Sequence, residues 1–237
     1  MNENKNHFLD TSVILTGLTK WRKEELYPKA NEYFDDKKFK RVTSIRVFSE
    51  ARSVINNCRR VYTQFLQKMF EDPSKINPMD VEGSLIFQAK KLFIESFEHR
   101  IIVSYIKACS GTIFSAVTSN AETFEKYLNQ IRSEIQNGLM ELILVCQPRS
   151  NAKISMYDKC PSDHSKYYSK EFQELENKIN YSKDTEVILD AYFISKKINQ
   201  KLSLITLDTE HMLSNKDHIE ATLQTIKVCD FRHYNKN

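Results

Sequence analysis

Two apolar stretches at opposite ends of the chain each stop on an aspartate. HFLDTSVIL carries Phe8 and Leu9 into Asp10, and SLITLDTE carries Leu204, Ile205, Thr206 and Leu207 into Asp208. Two further acids have comparable settings. Glu50 stands early in the helical pattern SIRVFSEARSV, beside Val47, Ala51 and Val54. Asp184 stands before TEVILDAYFISKK, where Val187, Ile188 and Ala191 mark an inward helical face. If the four meet, each pair at 4 Å repels by roughly 4 kcal/mol in an effective dielectric of 20. Such a cluster holds protons, with raised and coupled pKa values, or it holds a divalent cation. Oxygen ligands suit Mg2+ or Mn2+. An ion of that kind can orient and acidify a water and offset charge on a phosphodiester during in-line attack. On this reading Asp10 and Asp208 are the main ligands, and Glu50 and Asp184 complete the set. The competing reading for Asp184 is a helix N-cap.

The acids meet only if the fold brings them to one edge. The first strand ends at Leu9, and FKRVTS is a second strand. From Ile45 to about Phe70, apolar residues recur at helical intervals until DPSKINP breaks the pattern. Further helices run to Asn137, Gly138 stands where a helix would end, and LMELILVCQP reads as a strand closed by Pro148. Residues 149–183 are polar, with a charged helix at SKEFQELENKI. A helix over 185–199, the strand LSLIT, a helix at DTEHMLSNKDHIEATL and the strand TIKVCDF complete the chain. This alternation predicts an α/β fold with a central parallel sheet and helices on both faces. In such sheets, sites form along the carboxyl ends of the strands. Asp10 and Asp208 share a crevice if their strands are parallel neighbours.

The order FLDTS, SIRVFSEA, KDTEVILDA and LITLDTE resembles the PIN-domain nucleases. That family carries an Asp-Thr/Ser-Asn/Ser motif after the first strand and a Glu on an early helix. An Asp opens a later helix, and a Thr-x-Asp follows the next strand. Asp10, Glu50, Asp184 and Asp208 match these positions in turn, while Ser12 and Thr206 match the accompanying hydroxyl residues. The likeness covers about residues 1–60 and 139–237. It implies one PIN-like, three-layer α/β/α domain over 1–237, with a helical insertion at about 61–138. It also implies a Mg2+- or Mn2+-dependent endoribonuclease that leaves a 5′-phosphate and acts on RNA, most naturally single-stranded. The alternative is a non-catalytic PIN-like module for RNA binding or assembly. A toxin–antitoxin role, an antitoxin or inhibitor protein as partner, and a homodimer all stay open. Asp190 competes for the place of Asp184, because its shorter distance to Asp208 matches compact family members. The two lie six residues apart, so on one helix they point about 240° apart. Asp184 fits better, since the offsets after Asp190 give Phe193, Ile194 and Lys197. Asp190 stays open as an additional acid near the metal.

The 237 residues are 41% hydrophobic and 28% charged, which suits a soluble globular chain and excludes a disordered one. With only 4 Gly and 5 Pro, long helices are expected. The polar start MNENKNHFLD lacks an apolar signal segment, and no apolar run approaches the roughly 18 residues of a membrane span. The expectation is a cytoplasmic protein with no membrane partner. Five scattered cysteines read as reduced thiols, and CPSDH, with Cys160 and His164, reads as a polar loop before it reads as a zinc site. A net charge of +4 identifies no partner, but DDKKFKR and ARSVINNCRR concentrate cations in one region. Arg46 and Arg52 share the helix of Glu50 and could hold a nucleic-acid backbone there. Thr11 and Ser12 read first as caps, His211 as a surface histidine, and Tyr167-Tyr168 as aromatics able to stack on unpaired bases.

Overall fold

A computed structural model describes residues 5–19, 26–93 and 97–234, apart from the side chains of 97 and 98. The strands are β1 (Asn6–Leu9), β2 (Lys40–Ser44), β3 (Cys146–Gln147), β4 (Ile154–Tyr157), β5 (Leu202–Thr206) and β6 (Ile226–Asp230). The helices are α1 (Thr11–Leu18), α2 (Tyr27–Asp35), α3 (Ile45–Glu71), α4 (Val81–Phe93), α5 (Phe97–Val117), α6 (Ala121–Val145), α7 (His164–Tyr167), α8 (Ser169–Ile179), α9 (Ser182–Ile198) and α10 (Lys216–Thr222). The chain forms two compact units. One holds the sheet, with Leu26–Ala51 and everything from Leu142 onward. The other is helical and includes Arg52–Glu141.

The sheet unit is a three-layer α/β/α arrangement. Its strands run in the order β3-β4-β2-β1-β5-β6, and every pairing is parallel. Residues of β1 and β5 are almost all buried, as expected of central strands covered on both faces. The chain leaves β1 toward β2 on one side, and leaves β5 toward β6 on the other. The carboxyl ends of β1 and β5 therefore flank the point where the winding reverses, and a crevice opens there in parallel sheets. Leu9 pairs with Ile205, so the two apolar stretches end side by side. Helix α9 packs against β2, β5 and β6. Asn180 and Asn199 close α8 and α9 in the left-handed conformation, a place this glycine-poor chain gives to asparagine.

Three expectations about elements need correction. LMELILV is not a strand: α6 passes through Gly138 to Val145, and only Cys146–Gln147 pair as β3. Buried positions 131, 135, 138, 142 and 145 keep helical spacing through the segment, so its apolar run is helical period compressed by extra exposed residues. Those extras are Met140, Ile143 and Leu144. The stretch 149–183 contains a strand, β4, that its mixed composition concealed. The long helix expected from Asp208 shrinks to α10, because turns occupy 209–215.

The helical unit has its own core. Tyr62 stacks on Tyr105 at 4.1 Å and Phe70 on Phe124 at 4.0 Å, with Leu85, Ile102, Ile106 and Leu128 fully buried. Within α5, His99–Val117 is long and apolar enough to cross a membrane, contrary to the expectation that no such run exists. It nevertheless carries Arg100 and Lys107, and buries Ile102, Tyr105, Ile106, Cys109 and Ile113 at helical spacing, as a core helix does.

Candidate metal centre

Asp10 is the buried member of the site, at 6% exposure. Its backbone N–H donates to Ile205 O at 3.1 Å, continuing the β1–β5 ladder past the strand end. Ser12 Oγ donates to Asp10 Oδ2 at 2.7 Å, and Thr206 Oγ1 donates to the same oxygen at 2.9 Å. Each hydroxyl also accepts from the β5 side: Ser12 from the Leu207 N–H and Thr206 from the Asp208 N–H. A hydroxyl can donate once and accept as well, so these two residues tie the ends of β1 and β5 together. Ser12 is thus more than a helix cap. Thr11 Oγ1 in turn donates to Glu50 Oε2 at 2.5 Å, linking α1 to the start of α3. Burial raises the Asp10 pKa, the Ser12 and Thr206 hydrogen bonds partly offset that rise, and the nearby Glu50 charge adds to it.

Asp184 lies inside the first turn of α9, not before it. The N-cap position belongs to Tyr181, so the capping alternative is removed. Burial, followed by the charges of Asp208, Asp10 and Glu50, pushes the Asp184 carboxyl up to about 8, and a hydrogen bond with Asp208 favours its protonated form. Asp184 therefore lies within electrostatic reach of the other three acids, and Asp10 within reach of Glu50, although Glu50 itself is exposed. Asp208 Oδ1 accepts from the N–H groups of Glu210 and His211 at 2.9 and 3.1 Å, an Asx turn that begins the loop after β5.

That turn brings in a residue the sequence reading had assigned to the surface. His211 Nδ1 lies 2.9 Å from Asp184 Oδ2 and 3.5 Å from Asp208 Oδ2. Its ring stacks on Tyr181 at 5.0 Å. Asp184, Asp208 and His211 each offer a ligand atom, all within 4.8 Å of one another. The available signal was the three-residue step from Asp208 to His211, which an Asx turn folds back toward the acid. The donor set fits a divalent cation, with two carboxylates to neutralise it and an imidazole nitrogen.

Asp190 does not join this group. It is fully buried and bonded to His164 Nε2 at 2.7 Å and Arg46 Nε at 3.3 Å, and its charge adds to the burial that raises the Cys160 thiol pKa. Arg46 donates further to Glu186 Oε2 at 2.8 Å and to the carbonyls of Pro161 and Ser162. These bonds fasten the CPSDH loop to α3 and α9, and they occupy the guanidinium that the sequence reading offered to nucleic acid. Arg52 is exposed on α3. Arg41, part of the basic run, is buried and donates to the carbonyls of Tyr33, Asp36 and Lys153. Tyr168 stacks on His164 at 5.7 Å, whereas Tyr167 stays 60% exposed. The chain matches no known family model, and no characterised protein or solved structure is significantly similar to it.

Proposed function

We propose that this chain is a divalent-metal-dependent endoribonuclease of PIN type, with Asp10, Glu50, Asp184 and Asp208 as its acidic centre. One observation carries the reading: acids remote in sequence are gathered at the carboxyl ends of β1 and β5, where their proximity to one another is costly without a cation. A bound divalent ion supplies Lewis acidity to the phosphodiester and acidifies a water. Asp184, Asp208 and His211 would hold it, and a nitrogen donor would favour Mn2+ over Mg2+. Asp184 must give up its proton to act as a ligand. Ser12 and Thr206 orient Asp10 toward the crevice and favour its ionised form. Glu50, which accepts from Thr11 and is open to solvent, would take a proton from water. The test is cleavage of a labelled single-stranded RNA with Mn2+, with chelator, and with Asp10→Asn. Cleavage that needs Mn2+ and drops at least a hundredfold in the variant supports the reading. Cleavage unaffected by the substitution refutes it, and RNA binding without cleavage under any divalent ion points to the non-catalytic module.

A further inference from the structure

Apart from the acids, the sheet unit presents a groove of about 690 Å³ along β2 and β4. Its floor is the parallel pair in which Val42 faces Ser155. Lys37 and Lys40 stand where β2 begins, Arg149 stands in the β3–β4 turn, and Lys159 lies just past the end of β4. All four are exposed, and none is ion-paired among the described residues. Lys153, also in the lining, is already neutralised by Asp35 at 2.6 Å. Asp158 is the acid among the lining residues. Tyr157 contributes a half-buried ring with no aromatic partner among the described residues.

Unpaired cations spread along a groove, with an aromatic face at one end, are the features that hold a single-stranded nucleic acid. The cations track the phosphates, and the ring stacks on a base of any identity. The groove follows the strands for about 15 Å, and β4 lies two strand spacings, about 10 Å, from β1. Its far end, at Tyr157 and Lys159, therefore opens on the same carboxyl edge as Asp10.

We propose that this groove binds the phosphate backbone of single-stranded RNA and leads it toward the acidic centre, with Lys37, Lys40, Arg149 and Lys159 as phosphate contacts and Tyr157 as the stacking ring. The inference rests on the ribonuclease reading for the identity of the polyanion. The experiment measures fluorescence anisotropy of a labelled single-stranded RNA 12-mer on the full chain in chelator, so that binding is read without cleavage. The test variant carries K37Q, K40Q, R149Q and K159Q. A control carries K68Q, K107Q, K126Q and K178Q, which removes equal charge elsewhere, and circular dichroism checks that both are folded. Single-stranded binding loses about 0.7 of a log unit of slope per released phosphate contact. Raising salt from 50 to 200 mM should therefore weaken the parent and the control roughly 50-fold more than the groove variant. Tyr157→Ala should weaken binding about tenfold with no change in salt slope. Equal salt slopes in the groove variant and control overturn the proposal, as does equal competition by polyglutamate, which would mark a surface for acidic proteins. Loss of binding in the groove variant of a parent that never cleaves with Mn2+ would leave the groove standing and remove the nuclease reading.

Discussion

Replacing Asp184 by Asn should alter the pH dependence of stability in the metal-free protein. The Asp184 carboxyl is raised from 3.8 to about 8 in the folded chain. Between those values the folded state holds a proton that the unfolded state has released, so stability falls as pH rises. The slope is about 1.4 kcal/mol per pH unit, or about 2.7 kcal/mol between pH 5 and 7, and it levels off above the folded pKa. Asn carries no proton to lose. The advantage of Asp184→Asn over the parent should therefore grow by about 2.7 kcal/mol across that interval, or about 5–10 °C in Tm for a chain of this size. The assay is thermal melting by circular dichroism in chelator at pH 5, 6, 7 and 8. Adding Mn2+ at pH 7 to a hundredfold excess over its Kd should stabilise the parent by about 2.7 kcal/mol. The variant, lacking one ligand and one charge, should gain far less. A Tm difference between variant and parent that stays flat from pH 5 to 7 would refute the argument, because it would mean that Asp184 ionises as freely as in the unfolded chain.

His211→Ala should weaken Mn2+ binding at least tenfold, read by isothermal titration calorimetry, and should weaken Mg2+ binding much less; equal losses for the two ions would remove the nitrogen from the ligand set. Arg46→Leu should destabilise the fold by roughly 3 kcal/mol, since it strips a cation from the fully buried Asp190, and should leave RNA affinity in chelator within twofold of the parent. A stable variant with weakened RNA binding would return Arg46 to the nucleic-acid role the sequence suggested.

Some of this was legible from local pattern. Apolar stretches ending on Asp marked β1 and β5, FKRVTS and TIKVCDF read as strands where β2 and β6 lie, and helical spacing identified α3 and α9. An apolar stretch ending on Asp at each end of the chain implied that Asp10 and Asp208 could share an edge. The run around LILV was misread because a short apolar segment fits a buried strand and a helix flank equally well, and its length in the helix shows only when the buried positions back to 131 are known. Strand β4 was missed because its four residues, ISMY, are stabilised by pairing with β2 and β3 and not by any internal pattern.

Sequence by itself determined which residue types stand at strand ends and which face of each helix is apolar, because those depend on the chain's own periodicity. It favoured Asp184 over Asp190 from the apolar offsets after each, but left Asp190 open as a further acid near the metal. What takes Asp190 away from that group is the CPSDH loop, which brings His164 to it from 26 positions away, while α3 delivers Arg46 from 144 positions away. Sequence alone could not move His211 from the surface to the acids, since that needs α9 to lie beside the turn after β5. Burial and charge act on whatever the folded chain places within a few ångströms, and only tertiary packing decides those neighbours.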